Sequence, residues 1–301
     1  MQLATHGRDG EWRAAVRRAP GEALVDCATA AARAGVADPQ GWSNSTRMLI
    51  SPAGDREEVL RAADALRDEG SVLAADVRLG PPVPEPEKIL CVGHNYREHA
   101  AETRRELPAT PVIFAKFRNG LLGPHDEIPH PGISEEIDYE GELAVVIGEP
   151  VKRASAAEAL GAVAGYMVLN DLSAGDLQRS ASQWTAGKAL DGFAPCGPHL
   201  LSADEVPDPQ ALTLTTTVNG EPRQEASTEE MIFSVAEVIA YLTSVMTLRP
   251  GDIVATGTPG GVGMGLEPKQ FLEPGDLVEV GISGLGATSN RIGPRPEVTD
   301  V

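Results

Sequence analysis

The sequence predicts an α+β protein that is mainly β, in which a small amino-terminal α/β domain precedes a larger, strand-rich one. Three observations lead there. The stretch Gly80-Pro81-Pro82-Val83-Pro84-Glu85-Pro86 denies the backbone the donors and dihedrals of a helix or central strand, so a domain junction is expected there, dividing 1–83 from 84–301. After it, short apolar runs punctuated by Gly, Pro and Asp dominate. Few helix-period segments interrupt them.

Before the junction, strands are expected over 1–5 and 23–26, and a helix over 55–69. Asp55 would cap that helix and Gly70 stop it, with Val59, Leu60, Ala63 and Leu66 on one face. Beyond the junction, strands are expected over 88–92, 112–116, 142–147, 166–170, 212–218, 253–256 and 277–282. Ser155 and Glu158 form a capping box for a short helix. Ser234 and Glu237 do the same for a longer one that turns Val235, Val238, Ile239, Leu242, Val245 and Met246 inward. Pro-Gly-Asp turns at 250–252 and 274–276 each feed an apolar strand.

Bulk properties narrow the function classes. A net charge of -19 over 301 residues repels nucleic acid and anionic membrane surfaces before any specific contact forms. The first twenty residues contain no apolar segment of signal-peptide type, and no apolar run is long enough to span a bilayer. Cys27, Cys91 and Cys196 are odd in number, far apart and make no C-x-x-C pair, so neither a disulfide framework nor a thiolate zinc site is suggested. A cytoplasmic protein that binds neither nucleic acid nor membrane is expected.

The chemistry concentrates in carboxylates. Glu140 and Glu142 stand at i, i+2 in DYEGELAVVIG, so on a strand they share a side and repel each other unless a cation lies between them. Asp171 ends the apolar run YMVLND and supplies a third oxygen donor. Oxygen ligands without Cys or His favour Mg²⁺, with Mn²⁺ or Ca²⁺ as alternatives. The competing reading is a solvated acidic strand edge. His99 and Glu102 at i, i+3 share a helical face, where a carboxylate can orient an imidazole or share a water with it; a surface helix carrying both by accident is the alternative. Lys188, in GKALDGFAP, would balance the residual negative charge, and Lys116, in FAKF, would meet a substrate carboxylate or simply reach water. The run TGTPGGVGMG lacks the spacing of a nucleotide loop. Ser283 misses the nucleophile-elbow pattern because Leu285 stands where glycine is required, and there is no H-E-x-x-H. His125 and His130 read as loop residues.

The strings KILCVGHNYREHAAE, FAKFRNGLLGP, DYEGELAVVIG, GYMVLNDLSAGDLQ, GKALDGFAPCGP and TLRPGDIVATGTPGGVG, in this order, resemble the fumarylacetoacetate hydrolase family from about residue 88 to 282. The resemblance extends to its 2-hydroxyhepta-2,4-diene-1,7-dioate isomerase and acylpyruvase-like branch. It implies a mixed β-sandwich roll, a homodimer, and a divalent metal on Glu140, Glu142 and Asp171. It also implies a catalytic pair in His99 and Glu102, an active-site Lys188, and substrate contacts from Asp176, Gln178 and Thr258. The chain departs from the family at Gly175, where many members carry arginine, and at Ala189 and Gly192, where Ser and Thr are usual. His94 stands where Leu or Arg is frequent. Loss of a bidentate donor predicts a roomier pocket and a less polar acyl group on the substrate.

The leading expectation is therefore a metal-dependent hydrolase that cleaves a carbon-carbon bond of an acylpyruvate-like 2,4-diketo acid through an enolate. Decarboxylation of an oxaloacetate-type acid or keto-enol isomerisation needs the same enolate without an attacking water. A family member that binds metal and ligand without turnover is the third reading.

Overall fold

The computed structural model describes residues 1–8, 11–51, 53–102 and 106–296. Its centre is the strand Gly141–Ile147, apolar but for Glu142, whose every residue is buried. A strand buried on both faces must be covered on both, and alternation divides its side chains between two cores. Leu143, Val145 and Ile147 join one, with Tyr166, Val168, Leu214 and Val280. Ala144 and Val146 join the other, with Met167, Leu169, Leu3, Val16, Ala30, Trp42, Val59 and Leu60.

Gly141–Ile147 pairs antiparallel with Val163–Asn170 on one side and with Ile253–Ala255 on the other. Ile89–Gly93 runs parallel to Ile253–Ala255, and Val112–Lys116 closes that edge. In the other direction Ala194–Ser202 follows Val163–Asn170, and then come Gln2–Arg8, Glu11–Arg17 and Val25–Asp26. The amino-terminal hairpin thus extends the same sheet, through Gln2 opposite Leu201 and Leu3 opposite Leu200. A second, antiparallel sheet of Glu221–Ser227, Thr213–Val218, Leu277–Ile282 and Gly286–Arg291 packs over the first core. This is the expected α+β, mainly β architecture.

The seven strands anticipated beyond the junction all form, with ends shifted by up to three residues. Glu11–Arg17, Ala194–Ser202, Glu221–Ser227 and Gly286–Arg291 were not anticipated, because charged or proline-bearing sequence hides them. Ala194–Ser202 contains Pro195 and Pro198 yet lies inside the sheet, where a register shift between Tyr166 and Val168 accommodates it.

The second core is closed by two helices. Cys27–Ala34 is capped by Asp26, whose carboxylate accepts from Thr29 N–H at 2.9 Å, and it ends at Gly35 in the left-handed region. Ala53–Asp68 begins two residues ahead of Asp55, which sits in its first turn, and buries the four expected residues. The capping box at Ser234 is present: Ser234 N–H donates to the Glu237 carboxylate at 2.8 Å and the hydroxyl accepts from Glu237 N–H at 3.3 Å. The helix Val235–Val245 buries Val235, Val238, Ile239 and Leu242, whereas Val245, expected inward, is its last residue and is exposed. Among the described residues no helix is long and apolar enough to cross a membrane.

Candidate active site

Strand register brings the three carboxylates together. Glu142 is the second residue of Gly141–Ile147, Glu140 immediately precedes that strand, and Asp171 immediately follows Val163–Asn170. Leu169 lies opposite Glu142 and Asn170 opposite Gly141, and Asp171 N–H donates to the Glu140 carbonyl at 2.8 Å. One oxygen from each of the three side chains lies within 4.8 Å of the others. Glu142 is 1% exposed and Asp171 0%, so the solvated-edge reading fails.

Two buried lysines underlie this cluster. Lys188 Nζ donates to Glu140 Oε2 and Asp171 Oδ2, both at 2.8 Å. Lys116 Nζ lies 2.7 Å from Asp171 Oδ1 and donates to the Leu172 carbonyl at 2.9 Å. The Lys116 side chain therefore does not reach water; it is buried against Asp171. Burial opposes ionisation of Asp171, but Lys116 and Lys188 hold its carboxyl below the usual range. Burial likewise pulls the Lys188 ammonium down, and Asp171 and Glu140 more than reverse this. Glu142 has no such neighbour in contact. Burial first, then Asp171 and Glu140, push its carboxyl well above the ordinary range, and Gly257 N–H, donating to Oε2 at 2.7 Å, offsets this only in part.

With all three carboxylates ionised, the two ammonium groups would leave one negative charge uncompensated in a buried place. A divalent cation fits that deficit, and the all-oxygen donor set suits a hard ion. Although both Asp171 oxygens face lysines, each carboxylate oxygen carries two lone pairs, so coordination remains open to it. Glu140, Glu142 and Asp171 are thus the residues that could hold a metal.

Above the cluster stands the short helix Arg97–Glu102. His99 is buried, and its Nδ1 lies 3.9 Å from Glu102 Oε2, beyond hydrogen-bond length. The other oxygen, Oε1, accepts from Gly261 N–H at 2.8 Å. This seating explains the glycine run: a Cβ on Gly261 would meet the Arg223 carbonyl at 2.0 Å, and one on Gly265 would press the Glu102 carboxylate at 2.8 Å. Asn95 fixes the start of the segment by donating to the Thr256 carbonyl at 2.7 Å and the Phe233 carbonyl at 3.0 Å, while accepting from Phe233 N–H at 2.8 Å.

Between helix and cluster lies a narrow cleft of about 70 Å³, lined among others by His94, His99, Glu140, Gln178 and Trp184. The His94 and His99 rings stack at 5.5 Å, and Trp184 meets His94 edge-on at 5.4 Å. Cavities of about 500 and 700 Å³ lie against the amino-terminal strands, but neither gathers a histidine or a carboxylate triad.

The remaining expected residues are spread more widely. Gln178 lines the cleft. Thr258 is buried behind it, accepting from Gln224 Nε2 at 2.8 Å, while Gln224 Oε1 accepts from Gly141 N–H at 3.0 Å; the pair ties the metal-site strand to the second sheet. Asp176 turns its carboxylate to Ser134 Oγ at 2.6 Å and Glu135 N–H at 3.2 Å, closing a loop beside the cleft. Two charge-bearing cleft residues escaped sequence reasoning. Asp138 accepts from Gly263 and Met264 N–H at 2.7 and 2.8 Å and is pushed up to about 7 by burial; its place two residues ahead of Glu140 was the available signal. Arg179 was the other, and no motif marked it.

Known proteins match this chain over most of its length. Residues 88–293 match the family model described as fumarylacetoacetate (FAA) hydrolase C-terminal. The chain is 42% identical over 241 residues to the mitochondrial oxaloacetate tautomerase Fahd2a of Rattus norvegicus, covering 77% of each. A solved fumarylacetoacetate hydrolase from Exiguobacterium antarcticum superposes with a TM-score of 0.80 at 33% identity, over 98% of this chain and 100% of that one. A 2-hydroxyhepta-2,4-diene-1,7-dioate isomerase from Mycobacterium marinum does so with a TM-score of 0.71 at 32% identity, over 99% and 100%. With the matched span and the shared fold in agreement, the chain belongs to the fumarylacetoacetate hydrolase family of enzymes.

Proposed function

We propose that this protein is a divalent-cation-dependent enzyme that moves a proton to and from the carbon beside the oxo group of a 2-oxo acid, interconverting the keto and enol forms of an oxaloacetate-like diacid. The carrying observation is a narrow cleft lined by both His99 and Glu140, with Glu102 beside His99 and with Glu142 and Asp171 clustered with Glu140. The similarity to an oxaloacetate tautomerase supports the same reading.

Magnesium, or manganese or calcium in its place, would be held by the three carboxylates and would polarise the oxo-acid oxygens when bound. The chain's own groups do the rest. Lys188 holds Glu140 and Asp171 in position and keeps positive charge beside the place where the enolate's negative charge grows. His99 holds or releases the proton at its imidazole, with the Glu102 carboxylate 3.9 Å from Nδ1 favouring positive charge on the ring. The stacked His94 and the edge of Trp184 exclude water from this face. We include in the reading a homodimer, which light scattering would test.

A second reading, hydrolysis of an acylpyruvate, is favoured by one feature. Glu102 Oε2 is buried and accepts no hydrogen bond from the described residues, which is a seat for a water. Enol oxaloacetate and short acylpyruvates, each supplied with Mg²⁺, decide the matter. Faster loss of enol absorbance without CO₂ supports tautomerisation, two acids from an acylpyruvate mean hydrolysis, and turnover of neither with Mg²⁺ or Mn²⁺ would overturn the proposal.

A further inference from the structure

Gly175 opens the helix Gly175–Arg179, so its position faces that of Arg179 one turn on. A Cβ built on Gly175 would lie 2.9 Å from Arg179 Nη1 and 3.1 Å from Glu136 Oε2. The space beside Gly175 is therefore filled by an ion pair between Arg179 and Glu136. Glu136 is anchored for this task, because its own carbonyl accepts from Gly175 N–H at 2.8 Å. Arg179 Nη1 also rests 3.1 Å from Met264 Sδ, at the far wall of the cleft.

Arg179 is the one lysine or arginine among the described residues that line the cleft. Lys116 and Lys188 lie deeper and are already engaged by Asp171 and Glu140. A 2-oxo diacid that lays its oxo-acid end toward the carboxylate cluster still carries a second carboxylate. That group needs a partner, and a guanidinium fork matches it in charge and shape.

We propose that Arg179 is the specificity-determining residue of the site, gripping the distal carboxylate of a 2-oxo diacid, with Glu136 holding the guanidinium until substrate replaces it. The inference rests on the oxo-acid reading above, and it reverses the expectation that a missing arginine at 175 means a less polar substrate. The guanidinium arrives from one helical turn later, and glycine at 175 makes room for it. Glu136 and the substrate carboxylate then compete for the same donors.

The test uses two inert probes with Mg²⁺ and calorimetry: N-oxalylglycine, which has a distal carboxylate, and oxamate, which does not. Arg179→Met should weaken N-oxalylglycine about tenfold and leave oxamate within about twofold. Glu136→Gln should tighten N-oxalylglycine, a sign that lost structure would not produce. Arg179→Lys keeps a charge but not the fork, and should recover only part of the affinity. With oxaloacetate, Arg179→Met should raise KM and spare kcat. Equal binding of both probes, insensitive to Arg179, overturns this assignment alone. Failure of both probes to bind the unaltered protein overturns it together with the oxo-acid reading.

Discussion

Lys116 and Asp171 meet at 2.7 Å with neither side chain exposed to solvent. The Lys116 ammonium directs its well-aligned hydrogen bond to the Leu172 carbonyl, so its hold on Asp171 is chiefly coulombic. Taking Lys116 from this pair leaves Lys188 as the one ammonium in contact with the buried carboxylates. Lys116→Met should cost about 3 kcal/mol of folding stability in metal-free buffer. Urea unfolding with EDTA checks this, and an unchanged midpoint would show that the pair contributes nothing.

Glu142 presents the opposite case, a buried carboxylate with one backbone donor and no ammonium in contact. Glu142→Gln removes the buried ionisable group while keeping the shape. The variant should be more stable than the parent in EDTA by about 1 kcal/mol and should lose both activity and the stabilisation that Mg²⁺ gives. Thermal melts with and without Mg²⁺ should cross, and parallel shifts would argue against Glu142 as a ligand.

His99 and Glu102 act as a unit if they share one proton. Each of His99→Gln and Glu102→Gln should lower kcat by about 10²-fold or more, and the double variant should lose little beyond the worse single one. Multiplying losses in steady-state kinetics would instead mean two independent roles.

His199 reports on the sheet and not on the site. Burial, with Arg17 beside it, lowers its pKa to about 4 from the ordinary 6.5. Below pH 6.5 the unfolded chain takes up a proton that the folded one refuses until about pH 4. Its contribution to stability is therefore constant above 6.5 and becomes increasingly unfavourable as pH falls toward 4, reaching about 3 kcal/mol. His199→Gln should flatten that part of the stability profile. Denaturant midpoints for both proteins at pH 7.5, 6 and 5 measure it, and a constant gap between them would exclude the effect.

Legibility followed locality. Gly141–Ile147 and Val163–Asn170 were readable because an unbroken apolar run ending in carboxylates is a local pattern, and Glu140, Glu142 and Asp171 came with them. Lys116 was ambiguous because its partner lies 55 positions away, just past the end of a strand four places across the sheet. Asp176 sits in the same motif as Gln178, yet a five-residue helix turns one to Ser134 and the other to the cleft. The Arg179 and Glu136 pair was invisible for a related reason: it depends on what glycine at 175 leaves open, and an absence carries no pattern until neighbours are placed around it.

The hydrogen bonds that join Leu3 to Leu200 have a practical corollary. A fragment starting after the prolines would leave Ala194–Ser202 as a bare sheet margin and uncover Ala144, Val146, Met167 and Leu169 on the back of the strands that carry the carboxylates. Such a fragment should aggregate, so the opening third of the chain works as the wall that keeps the catalytic strands dry from behind.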